Sequence, residues 1–201
     1  MLYRVCQGVE LVLASGSPRR KELLERVGLA FRVAPAQVDE SLEPGEPAGR
    51  AARRLARAKA AVVAGREPEA AVLAADTLVA LEDQILGKPR DETEARHMLE
   101  RLSGREHVVV TGFCLRHQGG EAHGLGSTRV RFRRLSRAEI TAYVASGEPR
   151  GKAGAYAVQG LGAALVEEVC GSYTNVVGLP LAACVELMLA RGIIAPREEQ
   201  K

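Results

Sequence analysis

The chain has 201 residues, 46% of them apolar, enough to bury a core in one domain or two tightly joined lobes. Lysine and arginine exceed aspartate and glutamate by only 28 to 25, and a formal charge of +3 does not suit wrapping by nucleic acid. The cysteines Cys6, Cys114, Cys170 and Cys184 lack the spacing of a zinc site or disulfide framework, and no apolar run approaches the ~20 residues of a membrane span. With no signal-peptide pattern at its start, the chain is expected to be a reduced, cytoplasmic protein of one domain over 1–201, with 1–9 and 196–201 as short extensions.

Residues 10–14 form a short apolar run that breaks at Ser15-Gly16-Ser17-Pro18, and Leu23, Leu24 and Val27 then recur at helical spacing. That predicts strand, turn and helix, with Ser17 as N-cap, Pro18 as first helical residue and Gly28 as the stop. A short strand at 31–33 and an acidic, turn-rich loop over 35–47 follow. Over 50–64, Ala51, Leu55, Ala58 and Val62 share one helical face opposite Arg50, Arg53, Arg54 and Arg57.

The run 70–81 predicts a buried strand whose end carries the polar pair Asp76-Thr77. Lys88 sits in a turn after an expected hairpin, and Asp91 caps a helix through Leu102 that Gly104 stops. Residues 107–115 predict another central strand, and Val130 and Phe132 alternate with arginines in a half-exposed one. Ser136 and Glu139 form a capping box, 151–162 is glycine-rich, 163–169 predicts a strand, and Pro180 opens a last helix before Gly192. The alternation predicts a mixed α/β sheet flanked by helices.

The sharpest local feature is Ser15-Gly16-Ser17-Pro18-Arg19-Arg20-Lys21, which crowds cations onto a helix N-terminus that is already partly positive. An anion such as a polyphosphate would satisfy it, and a solvated basic turn is the alternative. Asp76, at a buried strand's end, is a candidate ligand for Mg²⁺ or a base for water, or else an aspartate bonded to its own turn. Asp39 and Glu40 offer a second metal ligand or mere surface charge. Lys59 borders the apolar helix face and either snorkels or reaches into a cleft, Lys88 is a weaker cation of the same kind, and Gln159 offers a donor and an acceptor to a base edge.

Taken together, the segments Leu13-Ala14-Ser15-Gly16-Ser17-Pro18-Arg19-Arg20, Val38-Asp39-Glu40, Leu55-Ala56-Arg57-Ala58-Lys59-Ala60, Ala75-Asp76-Thr77 and Gly87-Lys88-Pro89 resemble the Maf family. The likeness continues through Leu102-Ser103-Gly104-Arg105, His107, Thr111-Gly112, Lys152-Ala153-Gly154-Ala155-Tyr156, Gln159-Gly160 and Gly171-Ser172-Tyr173 through Val177-Gly178-Leu179-Pro180. It implies an elongated mixed sheet with two lobes around a central cleft, related to inosine triphosphate pyrophosphatases, and a homodimer. It also implies hydrolysis of a nucleoside triphosphate to monophosphate and pyrophosphate with Mg²⁺ or Mn²⁺. In that scheme Asp76 takes the water's proton, Glu40 and Asp76 hold the metal, Lys59 and Lys88 stabilise phosphate charge, and Ser15, Arg19 and Arg20 bind the triphosphate. Arg19, Thr77 and Gln159 match the branch that acts on dTTP and UTP. The chain departs from the family pattern at Gly151, where many members carry aspartate, and at Ala157, where glycine is usual. A regulatory role in septum formation is the competing implication, and nucleic-acid binding through Arg129, Arg131, Arg133, Arg134 and Arg137 the weakest, because only Phe132 is interleaved for stacking.

Overall fold

A computed structural model describes residues 1–118 and 120–197. In chain order the elements are β1 (Tyr3–Val5), β2 (Leu11–Leu13), α1 (Pro18–Arg26), β3 (Arg32–Val33), α2 (Ala48–Ala64), β4 (Ala71–Leu81), β5 (Gln84–Leu86) and α3 (Glu92–Leu102). They continue with β6 (Glu106–His117), β7 (Gly120–Phe132), α4 (Arg137–Ala145), β8 (Val166–Cys170), α5 (Tyr173–Val177), α6 (Leu181–Ala190) and β9 (Ile194–Pro196). The main sheet runs β3-β2-β4-β6-β7-β8, with β5 paired to β4. Only the β2–β3 and β2–β4 pairs are parallel.

Side-chain alternation along β4 divides the interior. Leu73 and Ala75 join Leu11, Leu13 and Phe113 beneath α1 and α6, whereas Val79 and Leu81 join a second cluster beneath α3 and α4. These two cores are the lobes, and they share one face of one sheet. Between them sit two hydroxyls, Thr77 and Thr111, directly opposite in register.

The other face is covered by α2. Its buried residues are Ala51, Ala52, Leu55, Ala56, Lys59, Ala60 and Val63, a stripe turned away from the expected Ala58 and Val62. The cause is small volume: alanines let the helix lie against Gly112 of β6, where a Cβ would stand 2.4 Å from the carbonyl carbon of Ala52. This rotation carries Lys59 from the border of the face into its buried centre, 7% exposed.

Other departures have local causes. Asp76 lies within β4 rather than at its end, because β6 pairs with β4 from Val72 to Ala80. The expected extension at 1–9 contains β1, which pairs with β9, so Pro196 is strand as well; residues 198–201 lie outside the described residues. The strand expected from Ala163 starts at Val166, since Leu161–Leu165 forms a 3-10 turn closed by Ala163 N–H donating to Gly160 O at 3.2 Å. Periodicity missed α5, which at five residues is too short to show any. Ser17 sits at the N-cap of α1, but its side chain makes no capping bond.

Candidate active site

The edge of β4 that faces β2 is paired up to Leu73 by β2 and again from Val79 by β5, so 74–78 has no strand beside it. A cavity of about 590 Å³ opens at this gap, within the usual range for a small-molecule site. It is reached by side chains from both sheet faces. Of the residues predicted from sequence, it brings together Ser15, Arg19, Arg20, Glu40, Lys59, Asp76, Thr77 and Lys88. Gln159 does not line it, although its neighbour Val158 does. Asp39 is also turned away, its carboxylate accepting from Ser41 N–H at 2.9 Å and from the Ser41 hydroxyl at 2.5 Å.

On one side of the gap, four charged groups form a chain. Lys59 Nζ lies 2.5 Å from Asp76 Oδ1 and 2.6 Å from Glu40 Oε1, and Lys88 Nζ donates to Glu40 Oε2 at 2.9 Å. Burial opposes ionisation of Glu40, but the hydrogen bonds from Lys59 and Lys88 outweigh it and hold the carboxyl at about 2. The reading of Lys59 as a snorkelling surface lysine is therefore replaced by a buried cation joining two carboxylates.

On the other side, Arg20 is locked into the protein. Its Nε donates to Gly178 O at 2.7 Å, Nη1 to Ser15 Oγ at 3.0 Å and Nη2 to Thr77 Oγ1 at 3.0 Å. Three of the five guanidinium N–H groups are thus committed and two remain for a ligand. Burial lowers its pKa, with the negative charge of Asp76 acting in the opposite direction. Thr77 Oγ1 lies 3.0 Å from Thr111 Oγ1, which donates to Asn175 O at 3.0 Å. Asn175 Nδ2 in turn donates to Val109 O and Thr128 Oγ1 at 2.9 and 3.0 Å. This polar belt between the two cores fixes Arg20; sequence assigned Thr111 no role beyond the family likeness and did not single out Thr128 or Asn175. For Thr111 the available signal was a hydroxyl inside the apolar run of β6.

Arg150, Lys152 and Tyr156 also line the cavity and were not predicted as site residues. Tyr156 is backed by His107, whose Nε2 lies 2.8 Å from the phenol; burial alone pushes that imidazole down to about 4, so it is neutral at pH 7. Gly151 lines the same wall, beside Lys152. The cavity therefore sets the cations of Arg19, Arg20, Lys59, Lys88, Arg150 and Lys152 against the carboxylates of Glu40 and Asp76. Among the described residues, no three or more His, Cys, Asp or Glu side chains are grouped to hold a metal ion. Glu40 and Asp76 are the carboxylates that could hold a hard cation such as Mg²⁺, which would share them with Lys59 and complete its shell with ligand oxygens and water.

Of the five arginines in and after β7, three are paired with carboxylates: Arg131 with Glu167 and Glu168, Arg133 with Glu139, Arg129 with Glu106.

A mixed sheet interrupted at one strand edge, with a cation-rich cleft and an acid–lysine pair in the interruption, defines an α/β protein built to hold a polyanion. The family model described as Maf-like protein matches residues 10–191, and the chain belongs to that family. The dTTP/UTP pyrophosphatase of Anaeromyxobacter sp. (strain Fw109-5) is 54% identical over 187 residues, spanning 90% of this chain and 89% of that protein. Its namesake in Myxococcus xanthus (strain DK1622) is 54% identical over 186 residues, 92% of this chain and 94% of its own. That of Halalkalibacterium halodurans is 48% identical over 182 residues, 90% and 96%. Among solved structures, the Staphylococcus aureus Ham1 protein covers 61% of this chain and 71% of its own at TM-score 0.43 and 15% identity, a likeness too distant to carry further argument. No helix among the described residues is long and apolar enough to cross a membrane.

Proposed function

We propose that the chain hydrolyses dTTP and UTP to the nucleoside monophosphate and pyrophosphate. The observation that carries this reading is the Asp76–Lys59–Glu40–Lys88 chain facing Arg19 and Arg20 across one cavity, a carboxylate ringed by cations at a polyphosphate's scale. Asp76 takes the proton of a water that attacks the α-phosphorus, the α–β anhydride bond breaks, and pyrophosphate leaves. Lys59, Lys88 and Arg19 stabilise the negative charge that grows on the phosphate oxygens, and Arg20 contributes its two spare donors. Glu40 and Asp76 would hold Mg²⁺ or Mn²⁺, and such an ion, when bound, supplies charge neutralisation at the phosphates.

The pyrimidine preference rests on Arg19, Thr77 and Gln159 and on the names of the relatives. Thr77 supports it indirectly, since its hydroxyl is engaged by both Arg20 and Thr111 and so sets where the guanidinium lies. The same reading places the protein in the cytoplasm, where nucleotides are found, as a homodimer; light scattering behind a sizing column tests the latter.

The deciding experiment measures pyrophosphate release from dTTP, UTP, other nucleoside triphosphates and 7-methylguanosine triphosphate, with and without Mg²⁺ or Mn²⁺. Metal-dependent cleavage of dTTP and UTP is expected, and Asp76→Asn should lower kcat by about 10²–10⁴, the usual worth of a general base. Undiminished turnover in that variant would exclude the role given to Asp76.

A further inference from the structure

Glu148 does not line the cavity, yet its carboxylate is the fastening point of the segment that carries Val158 into the cavity wall, with Gln159 next to it. Glu148 Oε1 accepts from the Tyr143 hydroxyl at 2.8 Å and from Gly162 N–H at 2.9 Å, while Oε2 accepts from Leu161 N–H at 3.0 Å. The Tyr143 oxygen then accepts from Ala157 N–H at 3.2 Å. Both ends of the segment 157–162 are therefore pinned through one carboxylate, and Gln159 is held between the pins.

Two glycines show how closely the segment is drawn in. A Cβ on Gly160 would stand 2.5 Å from Glu148 Oε2, and one on Gly162 would stand 2.3 Å from Ala157 O. Glu148 also reaches the phosphate end: its main-chain oxygen accepts from Lys152 Nζ at 2.5 Å, and its charge acts on Arg19. Burial works against the Glu148 charge, but the donors at Gly162, Tyr143 and Leu161 prevail and keep the carboxyl below the ordinary range. Burial and that same charge push the Tyr143 phenol up, so it remains a donor throughout the working pH range.

We propose that Glu148 is a positioning residue for base selectivity, acting through the 157–162 segment to fix the cavity wall at Val158, while its main-chain oxygen holds Lys152 on the same side of the cavity. This rests on the nucleotide reading above. It goes beyond that reading in assigning selectivity to a carboxylate outside the cavity. The pinning explains how a loop with glycines at 160 and 162 can present a fixed edge: three fixed acceptor contacts replace the side-chain packing that glycine lacks.

Glu148→Gln keeps the size and retains one acceptor oxygen, but turns an N–H toward a backbone donor. Hydrogen exchange at the Leu161 and Gly162 amides should quicken by about tenfold, the worth of one hydrogen bond to a charged group. The preference for dTTP and UTP over other triphosphates in kcat/KM should fall by about the same factor, mostly through KM. In a Val158→Ala background, Glu148→Gln should add less than about twofold to the selectivity loss, because both changes act through the same stretch of cavity wall. Tyr143→Phe should give a smaller effect in the same direction. Unchanged amide exchange, a selectivity loss that multiplies in the double variant, or an equal fall in kcat for every nucleotide would each overturn the proposal. The base preference is measured in parallel as nucleotide binding to the Asp76→Asn protein. If the parent chain binds dTTP and UTP selectively but releases no pyrophosphate, the hydrolytic reading alone fails, whereas a binding preference that Glu148→Gln leaves unchanged fails this one.

Discussion

Lys59→Met removes the ammonium between Asp76 and Glu40 while keeping an unbranched stem in the α2 stripe. The Lys59 and Asp76 side chains are 9% and 10% exposed, so they make a buried ion pair, and breaking one typically costs ~3–5 kcal/mol. Glu40 is 43% exposed and keeps Lys88, which points to the lower end, ~3 kcal/mol. For a chain of this length that lowers Tm by about 6–12 °C. The assay is thermal unfolding at pH 7 and again near pH 3.5. Lys59 is one of the two donors that hold the Glu40 carboxyl at about 2, so the part of the variant's deficit that Glu40 carries should shrink as pH falls below 4.5. Adding Mn²⁺ should also restore part of the loss, since an ion that binds only the folded state stabilises it. Arg57→Met is the control on the same helix: its partner Glu121 is matched across an exposed pair, 53% and 19% exposed, for which ~0–1 kcal/mol is expected. A Lys59→Met protein melting within about 2 °C of the parent at pH 7 would refute the reasoning, because the ammonium would then not be compensating buried charge.

Gly112→Ala should be destabilising by ~1–3 kcal/mol through overpacking, since its methyl group would meet Ala52 backbone at 2.4 Å; it should also weaken activity by pushing α2 and Lys59 outward, and a parent-like melting curve would show that the helix does not lie so close. Arg20→Lys keeps the charge but cannot reach Gly178 O, Ser15 Oγ and Thr77 Oγ1 together, so KM for dTTP should rise about tenfold or more with a lower Tm; unchanged KM would remove Arg20 from the binding site. Glu40 is held at about 2 in the fold against an ordinary 4.5, so the stability it contributes is complete above 4.5 and is lost as pH falls from there toward 2. Glu40→Gln should flatten the acid limb of Tm in that window, and superimposable limbs would rule out the two lysine contacts.

Much of this fold can be read from residue pattern because its elements announce themselves locally. Pro18 and Gly28 bracket α1, and Ser136 with Glu139 closes the capping box of α4 in both directions. The site was legible only where residue type implied chemistry without geometry: Asp76 in an apolar run and the basic turn at Arg19-Arg20. What stayed hidden depends on neighbours that sequence distance does not show. The inward position of Lys59 follows from Gly112, 53 residues away, and the fixed state of Arg20 follows from Gly178, 158 residues away. Gln159 shows the converse: a polar side chain in a glycine-rich loop suggested cavity contact, and the residue that lines the cavity at that point is its neighbour Val158.

The short length of β2 matters to the chemistry as much as any charged side chain. Alternation puts Asp76 on the α2 face of β4 and Thr77 on the face between the two cores, so a cleft confined to one face could use one of them. Because β2 stops at Leu13 and β5 begins pairing only at Val79, the edge between them is open, and Lys59 from one face and Arg20 from the other converge on it. Ser15, just beyond the end of β2, then offers its hydroxyl to Arg20 where a longer strand would have had to continue pairing with β4. The two walls therefore have separate supports: Lys59 and Asp76, to which the proposal gives the base side, stand on α2 and β4, and Arg20, to which it gives phosphate binding, stands on α1 and is held by the belt through Thr111 and Asn175. A substitution that disturbs one side can therefore leave the other folded, which is what lets kcat and KM be attributed to different walls of the same cavity.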